Sequence, residues 1–251
     1  MTLIRLYPGR ETYPALTVEE QSWLIAKEYG ICNGWRVNFA IDQNGASFGV
    51  SGNSSDVSTA LDRVLLGKLR SQADVIVTSG KTARIEKYKS SKHAPIAIFT
   101  KTGQLDEVPA IQGTQYFTPL VLTPQASLSE VQAALADVDV RIISFDSDSE
   151  SETWPAAVAQ IIQHEGFQSP ILESGGASLR EFLKSGVVDE LCITISNNSK
   201  FGVSARDLVD SKLGEFIGDI RGFELAQLFS DGQTIYSRWV RSGVAATGTP
   251  A

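Results

Sequence analysis

Short blocks of apolar and polar residues follow one another along the chain, and their period switches repeatedly between two and 3.6 residues. Thr17-Val18-Glu19-Glu20 has the spacing of a capping box, which predicts a helix running to about Tyr29. Trp35 to Ile41 alternates and then turns wholly apolar, the pattern of a strand with a buried carboxyl end, and Asp42-Gln43-Asn44-Gly45 closes it as a turn. Gly49 to Ser55 is a small, polar loop. Val57, Leu61, Val64 and Leu65 mark an amphipathic helix from Asp56 to about Arg70. Ala73–Thr78, Pro95–Thr100, Phe117–Leu122 and Val138–Phe145 read as strands. Ser127-Leu128-Ser129-Glu130 caps a helix between the last two, and Pro155 opens another that carries Val158, Ile161 and Ile162. Then Ile171 to Leu183 runs from a short apolar strand through Gly175-Gly176 into a helix, and Val187 to Ile195 reads as a further strand. Gly222–Phe229 and Thr234–Val240 flank Asp231-Gly232, a hairpin signal.

Alternating strands and helices predict an α/β fold, three layers deep, around a mixed and mostly parallel sheet, with the antiparallel hairpin at its edge. No linker or repeat divides the chain, so residues 1–242 are read as one domain. Residues 1–16, with Pro8, Gly9 and Pro14, form an irregular arm before the first helix, and the small, uncharged stretch 243–251 is expected to be a disordered tail. Asp146 to Glu152 is expected to be a solvated acidic loop.

Composition narrows the function. The 251 residues are 42% hydrophobic and 20% charged, as in an ordinary globular protein. A net charge of −7 argues against nucleic acid or an anionic membrane as partner, while leaving room for a local basic pocket. No apolar run approaches the roughly 20 residues that span a bilayer, and no signal peptide opens the chain, which points to the cytoplasm. Cys32 and Cys192 lie in apolar surroundings and read as buried thiols. His93 and His164 are the only histidines, so no multi-histidine metal site is expected.

Two stretches carry candidate chemistry. Gly175-Gly176 stands at a helix start, where unpaired backbone N–H groups and the positive end of the dipole favour a phosphate; the alternative is a tight strand-to-helix turn and nothing more. Ser79-Gly80-Lys81-Thr82 follows a strand and resembles the end of a P-loop, but the position that a P-loop gives to glycine is Val75, inside the strand. No Gly-x-Gly-x-x-Gly follows any strand, which disfavours a Rossmann dinucleotide site.

Four segments together resemble one family. They are Val37 to Gly45; Leu69 to Tyr88, with Leu-Arg, Ala-Asp, an apolar strand, then Thr82 and Glu86; the Gly-Gly unit with Gly186-Val187-Val188-Asp189-Glu190-Leu191; and the closing hairpin with Arg238-Trp239. In this order they are similar to the reductase domain of the bifunctional riboflavin-biosynthesis deaminase/reductase, of dihydrofolate-reductase-like fold, and to stand-alone actinobacterial pyrimidine reductase family proteins. The resemblance implies NADPH at the carboxyl ends of the strands. It sets Ile41, Gly80, Thr82 and Glu86 against the cofactor, Thr100 near its adenosine, and Gly175, Gly176, Ala177, Ser178 and Leu179 around its diphosphate. It implies a pyrimidine substrate carrying a ribose 5-phosphate, with Asp42, Asn44 and Ser174 on the substrate side, no metal, no assigned catalytic group, and a homodimer.

The departures fall on the substrate side. The family's Ser-Leu-Asp-Gly is Asp42-Gln43-Asn44-Gly45 here, its Glu-Gly-Gly is Ser174-Gly175-Gly176 with Glu173 one place early, and its later proline is Asn197. A shift of one residue in a strand turns the side chain to the opposite face, so Glu173 need not replace the missing acid. Two functions follow as expectations: an NADPH-dependent reductase of a pyrimidine- or pterin-like compound, or an NADP-binding relative, sensor or decayed enzyme, without turnover of the riboflavin intermediate. Simpler roles stand beside the functional ones: helix cap for Thr82, turn-former for Asn44, and surface charge for Lys81, Arg84, Glu86, Arg180, Asp189 and Glu190.

Overall fold

Helix α1 (Val18–Tyr29) begins at the capping box that its sequence spells out: Thr17 Oγ1 accepts from the Glu20 N–H at 3.2 Å, and Glu20 Oε2 accepts from the Thr17 N–H at 2.7 Å. Reciprocal capping of this kind satisfies two helix-end donors and contributes about 1 kcal/mol. The computed structural model describes residues 2–146, 153–197 and 222–243. The expected loop Asp146 to Glu152 apart from Asp146, and the expected tail 243–251 apart from Gly243, lie outside these residues.

The chain divides into two compact units, residues 1–72 with 188–251, and residues 73–187. Neither crossing carries a run of prolines, glycines or charges, so nothing in the sequence marks them.

The first unit holds β1 (Leu3–Tyr7), β2 (Glu11–Tyr13), β3 (Trp35–Asp42), β9 (Val188–Ser196), β10 (Phe223–Ser230) and β11 (Thr234–Arg241), in the order β2-β1-β10-β11-β9-β3. The pairs are antiparallel except β3 with β9, which is parallel. Two expectations change here. Residues 1–16 are not an irregular arm: Leu3 is fully buried, and β1 pairs with β10. The β10–β11 hairpin is therefore interior, with β1 and β2 outside it. Pro8, Gly9 and Pro14 flank these strands and do not interrupt them, so the breakers masked two short segments whose order comes from a partner distant in sequence.

Helix α2 (Ala60–Arg70) starts four residues later than Asp56, because Thr59 is its cap, accepting from the Asp62 N–H; Ser54–Asp56 forms a separate 3-10 turn.

Polar residues expected at the surface stand inside this unit. Glu190 is 3% exposed, and its Oε2 accepts from Arg36 Nε and Nη2 at 3.0 and 2.9 Å, while its Oε1 accepts from Arg238 Nη2. Arg36 also donates to Gln72 Oε1 and to the Gly30 carbonyl, so each of its three nitrogens has an acceptor. Burial pushes the Glu190 carboxyl up, but the hydrogen bonds and charges of the two arginines outweigh it and hold the group below its ordinary value. Asp189 takes the Trp35 N–H at 2.8 Å, closing the first rung beside β3. The register explains both: Arg36, Glu190 and Val240 are cross-strand neighbours, and Arg238 faces Cys192 two residues along. Both cysteines are free and buried, and burial lifts the Cys192 thiol to about 12.

The second unit is built on β4 (Val75–Ser79), β5 (Ile96–Phe99), β6 (Leu120–Pro124), β7 (Arg141–Phe145) and β8 (Pro170–Leu172), in the order β8-β4-β5-β6-β7, with every pair parallel. Val75, Ile76, Val77, Ala97, Ile98, Val121, Leu122 and Ile171 are fully buried, the continuous apolar runs of a sheet covered on both faces. Its helices are α3 (Gly80–Ile85), α4 (Pro109–Gln112), α5 (Leu128–Ala134), α6 (Trp154–His164) and α7 (Gly176–Lys184). Ser127 makes no side-chain cap on α5, because a 3-10 turn, Gln125–Ser127, already holds it in a helical conformation. With parallel pairs throughout one unit and a mixed sheet in the other, the fold is the α/β class that the alternation predicts.

Candidate functional site

Because β4, β5 and β8 run parallel, their carboxyl ends share one edge of the second unit, and the residues that follow them gather there. Thr82 lies in the first turn of α3. Its Oγ1 accepts from the Gly175 N–H at 3.0 Å and from Ser79 Oγ at 2.8 Å, while Ser79 Oγ accepts from the Thr82 N–H. Thr82 is thus no helix cap itself; Ser79 has that role. With two bonds accepted, the Thr82 hydroxyl keeps its own proton to donate.

Gly175 is the N-cap residue of α7 and makes no side-chain cap. Its φ of −64° and ψ of 159° suit any residue, and a Cβ there would meet only Thr82 Oγ1, at 3.6 Å. Neither the backbone nor the packing asks for glycine at this place. The first backbone bond of α7 runs from the Leu179 N–H to the Gly175 carbonyl, so Gly176, Ala177 and Ser178 present N–H groups with no acceptor within the helix. Leu179 itself is 1% exposed and anchors the helix in the core, so its contribution to the cradle is positional.

Gly80 differs. It is buried, and a Cβ there would stand 3.2 Å from Thr100 Cβ and Oγ1 and 3.3 Å from Leu105 Cδ2, so its bareness lets the β4–α3 turn pack against the end of β5. Thr100 Oγ1 accepts from the Thr102 and Gly103 N–H groups, both at 3.3 Å, and fixes the turn after β5. Glu86 is half-buried at the end of α3.

Ser174 is 6% exposed, and its Oγ has no hydrogen-bond partner among the described residues. Glu173, its neighbour, is committed elsewhere: Oε2 accepts from the Tyr88 hydroxyl at 2.6 Å, and its carbonyl accepts from Thr78 Oγ1 at 2.6 Å. The Glu173 carboxylate is therefore engaged with Tyr88, while Ser174 Oγ has no such partner among the described residues.

In the first unit, Ile41 and Asp42 end β3. Ile41 is 5% and Asp42 1% exposed. Asp42 Oδ1 accepts from the Asn44 and Ala46 N–H groups at 2.8 and 2.9 Å, which shapes the turn, while Oδ2 is buried with no hydrogen-bond partner among the described residues. Asn44 is exposed and contributes its backbone N–H to that turn. Leaving a buried polar atom unpaired costs about 1–3 kcal/mol, so two such atoms, on Asp42 and Ser174, are sites where a ligand's donor would relieve a standing penalty.

This unit also holds a polar cavity of about 320 Å³, lined by Ser55, Ser58, Thr59, Arg63, Asn197, Gln233 and Thr234, which no motif in the sequence announces. Arg63 Nη1 donates to the Ser58 carbonyl at 2.8 Å, Ser58 Oγ donates to Asp62 Oδ2, and Thr59 Oγ1 meets the Tyr236 hydroxyl at 3.2 Å. The local signal is the Thr59-Ala60-Leu61-Asp62 start of α2, which puts Arg63 in its first turns; the cavity's other wall comes from residues 130 and more positions away.

Comparison with known proteins fits this geometry. The RibD C-terminal domain matches residues 37–199. Among solved structures, a pyrimidine reductase-like protein from Corynebacterium diphtheriae superposes with a TM-score of 0.62 at 21% identity, over 90% of this chain and 99% of that one. The diaminohydroxyphosphoribosylaminopyrimidine deaminase/5-amino-6-(5-phosphoribosylamino)uracil reductase of Thermotoga maritima gives 0.59 at 13% identity, over 83% of this chain and 56% of that longer one. The riboflavin biosynthesis reductase Rib7 of Saccharomyces cerevisiae gives 0.58 at 13% identity, covering 85% and 91%. No functionally curated protein matches the chain in sequence. No helix among the described residues is long and apolar enough to cross a membrane.

Proposed function

Since the chain belongs to the RibD C-terminal domain family, we propose that it is an NADPH-dependent reductase of a phosphoribosylated pyrimidine or a close analogue. The observation that carries this reading is Gly175, a glycine that neither the backbone nor the packing requires, at the open start of α7. Its bareness admits a diphosphate to the N–H groups of Gly176, Ala177 and Ser178, where the helix dipole stabilises negative charge. The Thr82 hydroxyl, held by Ser79 and Gly175, keeps its own proton for a phosphate oxygen. The cofactor, when bound, supplies the hydride, so the protein has to orient and to exclude water, with no covalent nucleophile needed.

On the substrate side, Asp42 Oδ2 offers an acceptor for a ring N–H, and Ser174 Oγ a donor or acceptor. Arg63, with the hydroxyls of Ser55, Ser58 and Thr59, suits the 5-phosphate of the ribose. A homodimer is part of the same proposal, and sedimentation at micromolar concentration tests it. A second reading, an NADP-binding relative without turnover of the riboflavin intermediate, draws support from Glu173, which is tied to Tyr88, and from Asn44, which is exposed. Titration with NADPH, followed by NADPH consumption in the presence of 5-amino-6-(5-phosphoribosylamino)uracil or dihydrofolate, decides between them. Binding with turnover supports the reductase; binding without turnover of either compound supports the relative; no binding overturns both.

A further inference from the structure

Helix α1 buries polar residues and leaves its largest apolar one outside. Gln21 and Ser22 are 0% exposed, whereas Trp23, the next residue, is 55% exposed. The two polar side chains are satisfied locally: Gln21 Nε2 donates to the Leu16 carbonyl and Ser22 Oγ to the Glu19 carbonyl. The Trp23 indole instead borders a cavity of about 430 Å³ in the first unit, walled by Tyr13, Leu16 and Leu24 together with Glu19, Glu20 and Lys68. Small-molecule sites hold roughly 300–1,000 Å³ and are mostly apolar with a few placed polar groups, and this cavity has both properties. Apart from Lys68, all of its residues precede residue 37, where the family match begins, so the cavity lies largely outside the segment that the family shares.

Aromatic rings and charge together name the occupant. Two carboxylates against one ammonium leave the lining net negative, and Lys68 is already paired with Glu19. Glu20 is held in place by the N–H and the hydroxyl of Thr17. The Tyr13 hydroxyl donates to Glu11 Oε2 at 2.6 Å, which enriches its ring in electrons and strengthens the attraction of that ring for a cation. Trp23 carries the ring type that receives cations best, and Lys27 Nζ stands 5.0 Å from its centroid without being part of the cavity lining. We propose that this cavity binds a small alkylated amine, a quaternary or tertiary ammonium on an apolar body, with Trp23 and Tyr13 meeting the cation and Glu20 supplying the countercharge. A quaternary ammonium has no hydrogen to donate, so ring faces and a carboxylate hold it without a matched acceptor, while Leu16 and Leu24 cover the apolar body. The site does not depend on the reductase reading.

Calorimetric titration of the full-length protein with benzyltrimethylammonium, tetramethylammonium and the neutral benzyl alcohol tests this, with circular dichroism to confirm folding. Benzyltrimethylammonium should bind saturably and about tenfold more tightly than either of the others, since it alone offers both the cation and the apolar body. Trp23→Leu keeps apolar bulk at an exposed position and should weaken it by about tenfold, while Trp23→Phe should lose less. Glu20→Gln preserves the capping box and removes the charge, so it should weaken benzyltrimethylammonium by about fivefold and leave benzyl alcohol unchanged. Absence of saturable binding, equal affinity for benzyl alcohol, or unchanged affinity in Trp23→Leu overturns the proposal. Co-sedimentation with phosphatidylcholine vesicles that Trp23→Leu abolishes would reassign the face to a lipid headgroup. Dimerisation that Trp23→Leu abolishes would reassign it to a second copy of the chain, and either result overturns the proposal as well.

Discussion

The Gly175 N–H donates to Thr82 Oγ1 at 3.0 Å, so one hydroxyl ties the turn after β8 to the turn after β4. The same oxygen accepts from Ser79 Oγ, which makes the three residues one unit whose geometry both turns share. Thr82→Ser preserves the oxygen and should keep cofactor affinity near the wild-type value. Thr82→Val removes it, leaving two donors unmatched at a cost of about 1–3 kcal/mol, and should lower NADPH affinity by about tenfold or more. Equal affinity of the Ser and Val variants, measured by fluorescence titration, would show that the hydroxyl has no part in binding.

Gly175→Ala separates fold from function. The backbone conformation suits alanine, and its methyl would stand at an ordinary 3.6 Å from Thr82, so thermal stability should be nearly unchanged. The methyl would enter the phosphate cradle, where one extra carbon costs about tenfold or more in affinity. A variant that melts as the wild type does and binds NADPH equally well contradicts the cradle.

For the substrate side, turnover of the riboflavin intermediate should be weak, because Asn44 and Ser174 stand where the family has acids. Losing one buried polar match costs about 1–3 kcal/mol, roughly ten- to a hundredfold in specificity. Asn44→Asp with Ser174→Glu should recover some activity if both positions meet substrate. Asp42→Asn supplies the opposite arm: if Asp42 Oδ2 already accepts from the substrate, steady-state assays should show its KM rise while NADPH affinity holds. Brisk turnover by the unmodified protein together with an inert Asp42→Asn would exclude all three residues from recognition.

Glu190 should make the first unit less stable in acid. Its carboxyl is held below the ordinary glutamate value of 4.5 in the folded protein, against the opposing effect of burial. A group whose pKa is depressed by folding contributes stability above its unfolded pKa and loses it as pH falls through the lower, folded value. The contribution is therefore present at neutral pH and is lost below about pH 4.5, the unfolded range for a glutamate. Glu190→Gln leaves Arg36 and Arg238 buried without their shared anion and should cost about 3–5 kcal/mol at pH 7. Denaturant melts from pH 7 to 3 should show the difference between the two proteins shrinking in acid. A constant difference across that range would mean that Glu190 acts through packing alone.

Local chemistry sufficed for much of this protein. Thr17 and Glu20 cap α1 with atoms three residues apart, Asp231-Gly232 turns the hairpin, and the spacing of Leu61, Leu65 and Leu69 sets the inner face of α2; interactions this short are written in adjacent residues. The apolar runs at 75–78, 96–99 and 171–172 determined a buried parallel sheet, and hence a shared carboxyl edge for Thr82, Thr100 and Gly175. Tertiary structure alone decided what depends on partners far along the chain. Leu3 to Tyr7 became a strand because β10, more than two hundred residues later, offered its edge. Glu190 changed from a surface charge to the centre of a buried cluster because the register places Arg36 and Arg238 on its face of the sheet. Glu173 is committed to the Tyr88 hydroxyl, a partner eighty-five positions earlier that its neighbours in sequence do not encode, while Ser174 Oγ is left without one among the described residues.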